Sequence, residues 1–406
     1  MDLTTTPSRR RVLFALLYLA EGAPIGFLWW ALPTLLRQAG TDIERISTLL
    51  FVLGLPWTLK VLGAPFVDVA RSVGVSLRAI IAAAQVAMAS TLALAARNAG
   101  LEDLDALQLL LVLHACAAAL QDVAIDALCI SVTPPAERGQ VNGWMQFGYQ
   151  IGRGAFGGSV LLWAVPFGPA VPWWGLVAVL LAVLVVVLAC VPRHAGRARS
   201  ARPFAELSGS LAAVLRLPVT WRALVFALVA AAGFEAVGAF AGPFLVDRGF
   251  DSETIGSWYE LPKVAAYVLG GLSGGFIASR WGARAATLRF QVAFAVAVLL
   301  VAALDALGIG TRWPIVAALV GMYLAVGAFT VSSYALLMDL TAPRLAATQF
   351  SAYMGATNAC ESWSVLAIGG LVPAVGYATG FAVMAIVSLL ALVLVPREPV
   401  SPVAAA

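Results

Sequence analysis

PRHAGRARSARPFAELSGS, residues 192–210, is the one long polar connection in a chain of 406 residues. Everything on either side of it is dominated by apolar runs of about 20 residues, the length that carries a helix across a roughly 30 Å hydrocarbon layer. Six runs precede it, at 12–37, 44–67, 75–96, 105–132, 138–165 and 170–191, and six follow, at 219–246, 253–279, 284–304, 312–340, 345–370 and 375–395. The composition agrees: 61% of residues are hydrophobic and 11% charged, with a mean hydropathy of +0.92, whereas a soluble domain is about a quarter charged. The alternating ten-residue pattern of a transmembrane barrel is missing. The expected fold is therefore an all-α membrane protein of twelve transmembrane helices, in a half at 1–191 and a half at 219–406 joined by a linker at 192–218.

Orientation follows from the arginines. MDLTTTPSRRR leads into a long apolar segment without a small-residue cleavage site, so the first span is read as retained. Sixteen loop arginines fall on one side, running from Arg9, Arg10 and Arg11 through Arg71, Arg78, Arg138 and the linker to Arg280, Arg284, Arg344 and Arg397. Four fall on the other side: Arg45, Arg97, Arg248 and Arg312. The positive-inside rule then puts both termini in the cytoplasm. The basic pI of about 9.0 is a product of this topology and is no sign of a nucleic-acid partner.

The two halves echo one another weakly. GAPFVDVARSVGVSLR (63–78) after the second span corresponds to GGFIASRWGARA (274–285) after the eighth, and TPPAERGQ (133–140) after the fourth to TAPRLAATQ (341–349) after the tenth. Twelve spans in two pseudo-symmetric halves is the layout of an alternating-access carrier. The series Gly63, Asp68, Arg71, Gly74, Arg78 and its partial copy Gly275, Arg280, Gly282, Arg284 resemble the cytoplasmic loop signature of the major facilitator superfamily. LKVLGAPFVD (59–68), QDVAIDA (121–127), PAERG (135–139), RGFDSETIG (248–256), ALLMDL (335–340) and AATQF (346–350) resemble its muropeptide permease-like branch, the peptide, acetyl-CoA and drug transporters. The twelve-span size is similar to that of the siderophore importers of that branch. This resemblance implies a secondary transporter of the bacterial inner membrane. Its partners would be a small-molecule solute, protons and the lipid bilayer, and it would act as a monomer with no cofactor. Asp68, Arg71, Arg280 and Arg284 would form its gating loops.

Ten Asp, Glu, Lys and Arg residues lie inside the spans, away from their ends: Glu21, Lys60, Asp122, Asp126, Arg153, Glu235, Glu260, Lys263, Arg289 and Glu361. Each costs on the order of 2.5–3.5 kcal/mol at a lipid-facing helix centre, so they are expected to face one another or water. Asp122 and Asp126 are four residues apart and share a helical face within roughly 6 Å. A second negative charge beside the first is disfavoured in such a place, which suits the pair to taking up and releasing a proton; the alternative is that they only pin their helix to Lys60 or Arg153. Glu21 in LAEGAPIGF and Glu235 in AGFEAVGAF stand beside glycines on the first helix of each half, as cavity-lining gates. Asp122, Asp126, Glu21 and Glu235 are thus the proton-coupling candidates.

Lys60 and Lys263 are the chain's two lysines against 23 arginines, so the compact, titratable ammonium looks selected at both positions; Glu260, one turn before Lys263, is its obvious partner. With Arg153, Gln121, Gln150, Trp30, Asn358 and Glu361 they make up the candidate substrate-binding set. The resemblance places an arginine at the positions of Gln150 and Glu361, and both departures argue against an anionic muropeptide. Trp29, Trp30 and Trp57 could stack a ligand ring, while Trp173, Trp174 and Trp313 are expected in the interfacial belt. Cys116, Cys129, Cys190 and Cys360 show no CxxC spacing, and His114 has no second ligand at metal spacing, so no metal site is expected. No HExxH or GxSxG pattern supports a membrane enzyme, and no filter segment supports a channel. Siderophore, muropeptide, acyl-CoA and drug all remain open as cargo, as does export in place of import.

Overall fold

The computed structural model describes residues 2–60, 63–97, 104–134, 137–193, 216–308, 312–341 and 346–395. Among them the secondary structure is helical throughout, with no strand. Helix α1 spans Pro7–Gly26 and passes through a π-helical turn, Phe27–Ala31, into α2, Leu32–Gln38. Then come α3 Ile43–Thr58, α4 Ala64–Ser72, α5 Leu77–Arg97, α6 Leu104–Val132, α7 Arg138–Gly157, α8 Ser159–Phe167 and α9 Val171–Cys190. After the linker the series is α10 Pro218–Val229, α11 Ala232–Asp247, α12 Leu261–Trp281, α13 Ala283–Ala306, α14 Arg312–Asp339 and α15 Ala346–Leu390. A second π-helical turn, Ile255–Glu260, precedes α12.

By length and composition, nine of the described helices can cross a membrane. The 16-residue α3 and the more polar α7 fall short of that measure, and Ala352–Leu394 covers two expected crossings, so each of the twelve expected spans has a helical counterpart. The last two separate at Gly376, whose φ of 79° breaks α15. Only glycine adopts such a conformation without strain. Gly282, with φ 81°, likewise starts α13 one residue after α12 ends.

Two segments differ from the sequence reading. The stretch 63–78 reads as a loop, yet Ala64–Ser72 is helical, with Pro65 in its first turn where the missing N–H costs nothing. The seventh span is broken between Val229 and Ala232.

The chain forms two compact units, one of residues 1–39 and 59–204, the other of 40–58 and 205–406. Compared with halves at 1–191 and 219–406, one element changes place: α3 packs along α15 in the second unit. Small residues make this possible, since Gly54 meets Ser362 and Gly369 meets Ser47. Of the linker at 192–218, residues 194–215 lie outside the described residues.

In the first unit α1 lies against α7 with almost no side chain between them. Gly22 and Gly26 face the backbone of Tyr149 and Arg153, while Gly148 and Gly152 face that of Ala15, Leu19 and Ala23. In the second unit Gly270, Gly274 and Gly327 bring α12 equally close to α14. Without a hydrophobic driving force between helices in lipid, such small-residue contacts supply van der Waals attraction.

Candidate functional site

The first unit gathers five polar side chains from three helical segments. Lys60 follows α3 in a turn closed by a 2.8 Å bond from the Gly63 N–H to the Lys60 carbonyl. Its ammonium donates to Asp122 Oδ2 at 2.9 Å, and the Asp122 side chain is only 6% exposed. The Tyr18 hydroxyl of α1 donates to Asp126 Oδ1 at 2.7 Å and lies 3.5 Å from Asp122 Oδ1. One phenol therefore touches both carboxylates of α6, as their shared face predicts. Glu21, one turn beyond Tyr18, is buried within electrostatic range of Lys60, Asp122 and Asp126, and its Oε2 has no hydrogen-bond partner. Three acids thus share one base.

Arg153 is held by aromatic rings. Its guanidinium lies 4.3 Å over the Trp30 ring and 5.4 Å from Tyr149. Trp30 belongs to the π-helical turn of Phe27–Ala31, a distortion frequent at functional sites. Gln150 is half-buried one turn before Arg153 on α7. Gln121, beside Asp122, is fully buried with neither amide atom hydrogen-bonded.

In the second unit Lys263 is 1% exposed, its ammonium 4.7 Å from the Tyr259 ring and 5.5 Å from that of Tyr323. Tyr259 comes from the second π-helical turn. Glu235 of α11 and Glu361 of α15 are both half-buried and both act electrostatically on the buried Cys360. Asn358 donates to the Trp57 carbonyl at 3.1 Å.

Several expectations need revising. Arg289 is exposed and lies 4.3 Å over the Trp281 ring instead of facing another intramembrane charge among the described residues, its long side chain reaching back to the end of α12. Trp173 is buried edge-on against Phe27, with ring centroids 4.6 Å apart, and does not sit at the surface as a belt residue would; Trp174 and Trp313 are exposed. Of the gating loops, Arg71 and Arg284 are half-buried and Arg280 lies over Phe276, while the side chains of Asp68 and Glu260 lie outside the described residues.

Sequence reasoning missed three polar ties. The first is Tyr18, which the i, i+3 spacing to Glu21 could have flagged. The second is Arg10, which grips Glu137 Oε2 at 2.6 and 3.2 Å and the Thr4 carbonyl at 2.9 Å. The third is Gln349, whose amide lies 2.8 Å from both Thr220 and Tyr353 hydroxyls.

Residues 14–354 match the family described as the Major Facilitator Superfamily. The chain belongs to that superfamily. Its members are multi-pass membrane transporters, and solved structures of the superfamily fold resemble this one. The nucleoside transporter NupG is 16% identical with a TM-score of 0.74, the match covering 98% of this chain and 100% of that chain; a mutant form of NupG is 15% identical at the same TM-score, over 95% and 98%. A bacterial homologue of the human lysosomal transporter Spinster, inward-facing and unoccupied, is 15% identical with a TM-score of 0.67, over 96% and 94%. At these identities the likeness is one of fold.

Proposed function

We propose that this major facilitator protein is a proton-coupled importer of a medium-sized organic solute in the bacterial inner membrane, with both termini cytoplasmic. The observation that carries the reading is the cluster of buried Tyr18, Glu21 and Asp122 with half-buried Lys60 and Asp126. Lys60 compensates one carboxylate. An ionised carboxylate left without a counter-charge in apolar surroundings is strongly disfavoured, so the two remaining acids favour holding a proton when water is excluded and releasing it when water enters. Alternating access supplies that change of surroundings. Asp126 and Glu21 are the proton sites, Asp122 is the acid that fixes Lys60, and Glu235 with Glu361 offers a second acidic pair.

Cargo contact falls first to Arg153. Its guanidinium lies 4.3 Å over the Trp30 ring, and a guanidinium is suited to pairing with a carboxylate. Gln150 and Trp30 adjoin it, and Asn358 and Glu361 are the candidates of the second unit. Lys263 is too deeply buried to be a main contact. The muropeptide permease-like resemblance points to a siderophore or muropeptide, the departures at Gln150 and Glu361 weigh against the latter, and the likeness to NupG adds nucleosides to the cargo worth assaying.

Purified protein in proteoliposomes tests this directly. Under an imposed pH gradient, acidic outside, a labelled siderophore, muropeptide or nucleoside should accumulate, and a protonophore should abolish accumulation. Asp126→Asn should lose uphill accumulation while keeping cargo counterflow. Wild-type accumulation that ignores the protonophore would sink the proposal.

A further inference from the structure

We infer that Tyr18 is a positioning residue that makes the Lys60–Asp122 ion pair respond to the protonation of Asp126, an inference that rests on the proton-coupled reading above. The geometry is a linear chain of contacts. Lys60 Nζ holds Asp122 Oδ2 at 2.9 Å, the other oxygen of Asp122 lies 3.5 Å from the Tyr18 hydroxyl, and that hydroxyl donates to Asp126 Oδ1 at 2.7 Å. A phenol has one proton to donate, so the two carboxylates compete for it. The shorter contact shows which one holds it in this structure.

While Asp126 is charged it is the stronger acceptor and keeps the hydroxyl. When a proton from water binds Asp126, that acceptor weakens and the hydroxyl turns to Asp122 Oδ1. A donated bond there draws charge away from Oδ2 and loosens its hold on Lys60. The transferred proton enters and leaves at Asp126, and Tyr18 keeps its own proton throughout. Rotation about the phenol C–O bond suffices, because both oxygens lie within reach of the present ring position.

The charged and titratable groups around the hydroxyl support this assignment. Glu21 stands one turn along the same helix, and Asp122, Asp126 and Glu21 all act electrostatically on Tyr18. From α7 come Tyr149, its ring edge-on with centroids 6.4 Å away, and Arg153, which lies on Trp30 and Tyr149. Helix α9, which also packs on α1, carries no charged residue and only Cys190 at its end. Tyr18 is therefore a hydroxyl donor shared by the two aspartates.

Tyr18→Phe tests the inference, since it removes one oxygen and keeps the ring. In proteoliposomes the variant should retain cargo counterflow, and its uptake profile should move toward higher pH by about one unit, the loss expected when a charged acceptor is deprived of its donor. The number of protons moved per cargo should fall as well. In an Asp126→Asn background the same substitution should have no further effect. If wild-type uptake is proton-driven and Tyr18→Phe changes neither profile nor stoichiometry, Tyr18 is only an anchor and the inference is overturned while the transport reading stands. If wild-type uptake ignores the pH gradient, it is that reading which fails. Should Tyr18→Phe not fold, infrared difference spectra of the wild type provide the same test: protonating Asp126 should shift a second carboxylate band that vanishes in Asp122→Asn, and a spectrum with one band alone overturns the coupling.

Discussion

The chain's two lysines have different neighbours among the described residues. In the first unit Lys60 is neutralised by a point charge, the Asp122 carboxylate 2.9 Å away. In the second, Lys263 is almost wholly buried and flanked by the faces of Tyr259 and Tyr323. An ion pair can exchange partners when a proton arrives nearby, whereas a ring quadrupole has no proton to gain or lose near neutral pH. The Lys60–Asp122 contact can therefore respond to a proton, whereas the ring contacts of Lys263 cannot. That difference is why the proposed coupling chemistry is placed in the first unit, although the second also carries the half-buried acids Glu235 and Glu361.

The comparison can be broken most decisively at Lys60. Lys60→Met strands Asp122 in a buried site, and the expected loss of stability is about 3–5 kcal/mol. Adding Asp122→Asn should restore most of it. Thermal unfolding in detergent of the two single variants and the double variant measures this, and additive losses would mean that the pair is not coupled.

The polar ties around Arg10 and Gln349 form a second contrast between the units. Arg10 joins Glu137 through charge, whereas Gln349 joins Thr220 and Tyr353 through neutral groups. Arg10→Ala should cost about 1.5–3 kcal/mol, the range for hydrogen bonds to charged groups, and Gln349→Met about 0.5–1.5 kcal/mol. Equal losses from denaturant titrations would erase the distinction.

Cargo affinity provides the remaining contrast, between Arg153 and Lys263. Arg153→Ala should weaken equilibrium binding of an anionic cargo about tenfold, or 1.4 kcal/mol, with Lys263→Met smaller because its ammonium is buried among tyrosines. Binding measured in detergent without a gradient separates this from coupling, and a larger effect at Lys263 would reverse the assignment.

What could be read from sequence depended on the range of the interaction. Span number followed from hydropathy, and breaks at Gly282 and Gly376 are backbone effects of single residues. The helix Ala64–Ser72 escaped notice because Gly63 and Pro65 look like a turn, although proline also suits a first helical turn. The π-helical turn at FLWWA lies within a continuous apolar run and leaves no trace in periodicity. At the site, the shared face of Asp122 and Asp126 is a local property of helix spacing. The choice of Lys60 over Arg153 as partner is a matter of tertiary packing, which spacing does not carry. Tyr18 was invisible to a count of charges, because a hydroxyl in an apolar helix changes no tally until its neighbours are known.

The position of the cluster along the chain also has a consequence for biosynthesis. Tyr18 and Lys60 come before α6, with Lys60 62 residues ahead of Asp122. At a synthesis rate of about 5–20 residues per second, the ammonium reaches the membrane roughly 3–12 s before its carboxylate. When α6 arrives with two acids, each costing on the order of 2.5–3.5 kcal/mol on insertion scales, its donors are already in place. A circular permutant beginning at α5 sends α6 into the bilayer ahead of Tyr18 and Lys60, and its defect should be failed insertion, with any molecules that do insert transporting normally.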